Sequence, residues 1–245
     1  MHRLSRLIAI PLAPVLFAQA RYYRRTIPRL PDAAQPWHGT HAGDRPISLL
    51  VLGDSTAAGV GASSQQDALP GHLARAFLHR FGRGTRWVAV GHNGATARDL
   101  ITQHLDEATA ETYDVVFLTI GANDALALRS RSAFSRDIRQ LVDALRLASP
   151  DAIILVSLMP RFDRFRSLGN PVRWNLALHA SSLDAGARAA VAGKPMVFAI
   201  PKPPPYTPEF WASDGFHPGP QGYREWVDFA LGEVPGELLD HLRVE

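Results

Sequence analysis

Ser55, Asn123, Asp214 and His217 are the residues whose types and spacing can carry chemistry. Ser55 lies in Gly53-Asp54-Ser55-Thr56, just after the apolar run Ile47–Leu52. Asn123 lies in Gly121-Ala122-Asn123-Asp124, just after Val115–Ile120. Asp214 and His217 share one short segment, Asp214-Gly215-Phe216-His217. A serine hydroxyl is a poor nucleophile until a neighbouring base takes its proton. A histidine can be that base when a carboxylate holds the imidazole in the useful tautomer. The Asp-x-x-His spacing lets those two side chains meet within one turn. An asparagine N–H₂ is a suitable donor to the oxyanion of a tetrahedral intermediate. Together these groups are equipped to hydrolyse an ester.

Each segment alone has a plainer reading. Ser55 can cap a following turn, and Asn123-Asp124 can cap a helix. Asp214-Gly215 can be a solvated turn with an ordinary surface histidine. Two rival motifs fail at Ser55. A phosphate-binding loop needs a Gly-Lys-Ser/Thr ending, and no lysine is near. The α/β-hydrolase elbow needs Gly two residues after the serine, where Ala57 stands.

A further short motif, Gly91-His92-Asn93-Gly94, follows the apolar run Arg86–Val90. By itself it reads as an Asn-Gly turn. With this motif in second place, the four occur in the order seen in the SGNH (GDSL-type) hydrolases, and the chain resembles that family from about Ile47 to Leu231. The resemblance implies that Ser55 is the nucleophile and that Asp214 and His217 complete a triad. It also implies an oxyanion hole made by the amides of Ser55 and Gly94 and the side chain of Asn123. One departure is Thr56, where the family pattern usually has Leu.

These residues need a scaffold that brings strand ends together. Ile47–Leu52, Arg86–Val90, Val115–Ile120 and Ala152–Leu158 are short continuous apolar runs, and Met196–Ile200 is a weaker one. Such runs fit strands buried on both faces of a parallel sheet. Segments with helical spacing alternate with them: Asp67–Phe81, Thr96–Ala108, Phe134–Leu147, Trp174–Val191 and Gln221–Leu231. The alternation predicts an α/β fold with right-handed crossovers, whose ligand site gathers at the carboxyl ends of the strands. With the resemblance, this becomes a single three-layer, flavodoxin-like α/β/α domain with a five-stranded parallel sheet. Residues 46–245 are expected to form it, with 1–45 an apolar and basic arm plus linker. Pro201–Pro208 reads as a rigid loop.

The composition supports a globular core: 46% of the 245 residues are apolar. The absence of Cys excludes disulfides and thiol chemistry. No His-Glu-x-x-His occurs, so no metal and no cofactor is expected. The pI is near 9.6 while the net charge is only +3. The one dense basic run, Arg21, Arg24, Arg25 and Arg29, follows an apolar stretch. That arrangement suits a membrane surface rather than a nucleic acid.

Leu7–Ala18 is almost wholly apolar behind His2, Arg3 and Arg6. It has the outline of a secretory signal, with a small-x-small site at Ala18-Gln19-Ala20. Arginines just after that site oppose export and favour the cytoplasmic face. The run is too short to span a bilayer, and Pro11 and Pro14 are expected to interrupt it. An arm lying on the membrane surface is the preferred reading, with a cleaved signal or an arm packed on the domain as alternatives.

Met159–Trp174 mixes Phe162, Phe165, Leu168 and Trp174 with arginines. Beside the arm, it favours a lipid or acyl ester as substrate. A periplasmic carbohydrate O-deacetylase and a non-catalytic lipid- or partner-binding module on the same fold are the alternatives.

Overall fold

A computed structural model describes residues 5–157, 159–200 and 206–243. Leu158, part of the proline-rich loop (201–205), and His2 and Arg3 lie outside the described residues.

The apolar runs form the strands β2 (Ile47–Gly53), β3 (Thr85–Gly91), β4 (Val115–Thr119), β5 (Ile153–Ser157) and β6 (Val197–Ala199). These five are parallel, in the spatial order β3-β2-β4-β5-β6. A sixth strand, β1 (His38–His41), was not expected. It pairs antiparallel with β3 at the sheet edge, within the stretch read as linker. Its short polar sequence, His-Gly-Thr-His, lacks the apolar run that marks a buried strand.

Every side chain of β4 and β5 is buried. Successive side chains of a strand point to opposite faces, so both faces must be covered. One face carries Leu50, Leu52, Val116, Leu118, Ile154 and Val156, under α6 (Arg131–Ala148) and α7 (Val172–Val191). The other carries Leu49, Val51, Val115, Phe117, Ile153 and Leu155, under α2 (Leu69–Phe81) and α8 (Pro220–Glu233). The result is the predicted three-layer sandwich.

The chain leaves β2 for β3 on one side and returns to β4 on the other, so loops diverge at this point of the sheet. Glycines bring those loops close. Gly53 is in register with both Gly91 and Thr119. A Cβ on Gly53 would lie 2.3 Å from the Thr119 carbonyl oxygen, and one on Gly91 would lie 1.9 Å from that of Gly53.

Two helices differ from expectation. The segment Thr96–Ala108 is not one regular helix: α3 (Ala97–Asp99) and α4 (Leu105–Ala108) flank a π turn, Leu100–His104. Thr96 and Asp99 form a capping box at its start. The N-terminal helix α1 (Ser5–Thr26) runs through Pro11 and Pro14 rather than stopping there. Both prolines face solvent, where carbonyls that lose an N–H partner can bond to water. Downstream, Gln19 holds the helix by donating to the Asn170 carbonyl (2.8 Å) and accepting from the Val172 amide (3.1 Å). Among the described residues, no helix is long and apolar enough to cross a membrane.

Candidate active site

Ser55 opens the turn after β2 and is 8% exposed. The preceding Asp54 is buried, and its Oδ1 accepts the Thr56 amide (3.1 Å) and hydroxyl (3.2 Å). The Thr56 hydroxyl also lies 2.9 Å from that of Thr119, at the end of β4. Thr56, the departure from the family pattern, thus ties the serine turn to the neighbouring strand, a brace that a Leu could not provide. Burial pushes the Asp54 carboxyl up, against the opposing effect of the Thr56 bonds and the nearby His217.

His217 approaches from the far end of the chain. Its Nε2 lies 3.1 Å from the Ser55 Oγ, and its Nδ1 lies 2.6 Å from Asp214 Oδ2. A carboxylate at that distance assigns the proton to Nδ1, which leaves the Nε2 lone pair for the serine hydroxyl. Asp214 Oδ1 accepts the amides of Phe216 (2.9 Å) and His217 (3.0 Å). Burial alone would raise the Asp214 carboxyl, but the His217 side-chain bond and these two amide bonds outweigh it. The carboxyl is held below its ordinary value.

Gly94 has φ +91°, and a Cβ there would meet nothing within 4 Å. The positive φ at this position favours glycine on conformational grounds. Among the described residues, neither the Ser55 nor the Gly94 amide donates to a protein acceptor. Asn123 sits on α5 (Ala122–Leu126) and donates from Nδ2 to the Ala95 carbonyl at 3.0 Å, with a longer contact of 3.4 Å to Asp54 Oδ2. The asparagine is thereby fastened to the loop that carries Gly94.

A buried charge cluster behind this loop was not recognised from sequence. Asp124 is fully buried and accepts the Ala97 amide at 3.0 Å. Arg129 Nε lies 3.0 Å from Asp124 Oδ1, off the line of a hydrogen bond, and the same guanidinium binds Asp137. Asp124 stands next to Asn123 in the motif, and that adjacency was the only sequence signal. A histidine pair also sits here: His92 Nδ1 is 2.7 Å from His104 Nε2, at the end of the π turn.

A cavity of about 70 Å³ opens beside Ser55 and His217, walled by Phe165, Tyr206, Phe210, Trp211 and Phe216. The rings interlock edge to face; Phe165 lies 4.9 Å from Trp211 and 5.0 Å from Phe216 between centroids. Of the apolar residues singled out in Met159–Trp174, Phe165 faces this cavity. Phe162 instead joins the core, and Trp174 is 49% exposed.

Residues 51–225 match the profile of the GDSL-like Lipase/Acylhydrolase family. This chain belongs to that family. It is accordingly a carboxylic ester hydrolase, and the GDSL-like fold is the frame for the geometry above. The chain is 27% identical to the GDSL-like esterase Rv1075c of Mycobacterium tuberculosis, over 92% of its own length and 78% of the relative's. In fold it is similar to the lipase Lip_vut3 from a goat rumen metagenome, with a TM-score of 0.63, 15% identity, and coverage of 78% of this chain and 99% of that one. It is also similar to a family 3 carbohydrate esterase of Clostridium thermocellum, with a TM-score of 0.58, 20% identity, and coverage of 82% and 100%. These two likenesses bear on the fold alone.

Proposed function

We propose that Ser55 is the nucleophile of this ester hydrolase and that His217 and Asp214 complete its triad. The observation that carries the reading is the continuous chain Ser55 Oγ–His217–Asp214, with links of 3.1 and 2.6 Å. His217 Nε2 takes the Ser55 proton as Oγ attacks the ester carbonyl carbon. The oxyanion is received by the Ser55 and Gly94 amides and by Asn123, whose long contact to Asp54 is the one it replaces. The imidazolium then protonates the departing alkoxide, leaving an acyl-enzyme. Water, deprotonated by the same imidazole, releases the acid and restores Ser55.

We further infer an apolar substrate and contact with a lipid surface. The support is the aromatic lining beside Ser55 and the exposed apolar and basic residues of α1. Along α1, Val15 (49%), Phe17 (72%) and Tyr22 (60%) are exposed, as are Arg21 and Arg25.

The test is p-nitrophenyl ester hydrolysis from acetyl to palmitoyl, with Ser55→Ala as control. Serine-dependent turnover that rises with chain length is the expected result; turnover confined to acetyl would favour the carbohydrate O-deacetylase. Cosedimentation with vesicles containing anionic lipid tests the surface contact. Equal recovery of wild type and a Val15→Ser/Phe17→Ser variant would remove it.

A further inference from the structure

The aromatic cavity beside Ser55 is narrow, at about 70 Å³. A second, larger space of about 560 Å³ opens on the other side of the same histidine. Phe216 and His217 line both, so the two spaces adjoin at these residues.

The larger space is a groove between the domain and the N-terminal arm. Leu126 and Leu168 face it from the domain, and Ala20, Tyr23, Ile27 and Leu30 face it from the arm. The arm residues lie outside the segment that matches the family. Leu126, 45% exposed, is one of the few large apolar side chains left open on the domain. A largely apolar groove that reaches His217, the histidine beside Ser55, calls for an apolar occupant.

The arm is held on both sides of this groove. On one side the Gly169 amide donates to the Tyr23 hydroxyl at 2.6 Å, beside the Gln19 bonds. On the other side the amides of Ala33 and Ala34 donate to the carbonyls of Ala58 (2.9 Å) and Ser63 (3.1 Å). A Cβ on Gly59 would lie 2.7 Å from that of Ala33, so the contact there is close. Ala58 and Gly59 follow Ser55 in the same turn. The wall is thus fastened to the nucleophile's own loop.

We propose that the N-terminal arm is part of the substrate site. The last turns of α1 and residues Ile27–Leu30 wall a groove that receives the long apolar chain of an ester. The smaller part of that ester occupies the aromatic cavity. This rests on Ser55 being the nucleophile, and it assigns the arm a role in substrate selection apart from any membrane contact.

The experiment compares the rates at which a dodecyl and an ethyl fluorophosphonate label Ser55 in the full chain. Ala20→Trp and Leu30→Trp each put an indole into the groove from a solvent-facing or half-buried position. Each is expected to lower the dodecyl-to-ethyl rate ratio about tenfold, as when a few methylenes lose apolar contact. Ala18→Trp, on the same helix but outside the groove, is expected to keep the wild-type ratio. An unchanged ratio in both groove variants, or an equal fall in the Ala18 variant, overturns the inference and leaves the serine assignment standing. If neither probe labels wild-type Ser55, the nucleophile assignment fails and the inference falls with it.

Discussion

Asp214 uses its two oxygens for different tasks: Oδ2 lies 2.6 Å from His217 Nδ1, while Oδ1 accepts the His217 amide at 3.0 Å. One oxygen sets the tautomer of the base and the other fixes the turn that carries it. Asp214→Asn keeps the shape but can present an N–H to Nδ1, which favours the wrong tautomer. The expected loss in kcat is about 10⁴-fold, with little change in melting temperature. A loss under tenfold would show that the carboxylate does not orient this imidazole.

The pH profile follows from the same pair. Asp214 is held below the ordinary carboxylate range, so it remains an anion in mild acid. Protonation of Asp214 is then not expected to contribute to rate lost in mild acid. A plot of log kcat/KM against pH should fall with a slope of about one. A slope near two would require a second essential proton.

Asn123→Ala removes the side-chain donor proposed for the oxyanion. The expected cost is about 10²–10³-fold in kcat with KM nearly unchanged. Steady-state kinetics separate the two parameters, and a change confined to KM would count against a transition-state role.

Gly94→Ala tests the conformational account of that position. With φ at +91° and open space around the added methyl, the variant folds but the loop is strained. About 1–2 kcal/mol of backbone cost is expected, and relaxation of the loop would move the amide away from the oxyanion. Kinetics should show a fall in kcat of about tenfold or more. Wild-type kcat with an altered melting temperature would remove Gly94 from the oxyanion hole.

Arg129→Met strands the buried Asp124. Losing the partner of a buried ion is expected to cost about 3–5 kcal/mol. Burial raises the Asp124 carboxyl to about 7, against the lowering effects of the Ala97 amide and Arg129. The folded protein holds that proton more tightly than the unfolded chain. The associated stability is present at low pH and is lost as pH rises from the ordinary carboxyl range through about 7. The variant should therefore be hurt more at about pH 8 than at about pH 5, as read by thermal melts. Equal losses at both would exclude Asp124 titration as the cause.

Much of this protein was written in short-range signals. Continuous apolar runs such as Val115–Thr119 required cover on both faces, and that determined a parallel sheet between helices. The Asp-x-x-His spacing let Asp214 and His217 meet within one turn, a contact that needs no distant partner. Other features left no local mark. β1 is too short and polar to show periodicity, and the π turn at Leu100–His104 breaks a segment whose apolar spacing looks helical. Asp124 and Arg129 read as ordinary polar residues until burial makes them partners. Only the packed fold brings His217 to Ser55, 162 residues away. Only the fold lays Tyr23 and Ile27 along a groove that ends at that histidine. Sequence patterns report which surfaces a segment must bury, whereas the choice among distant partners rests on how all those surfaces fit together at once.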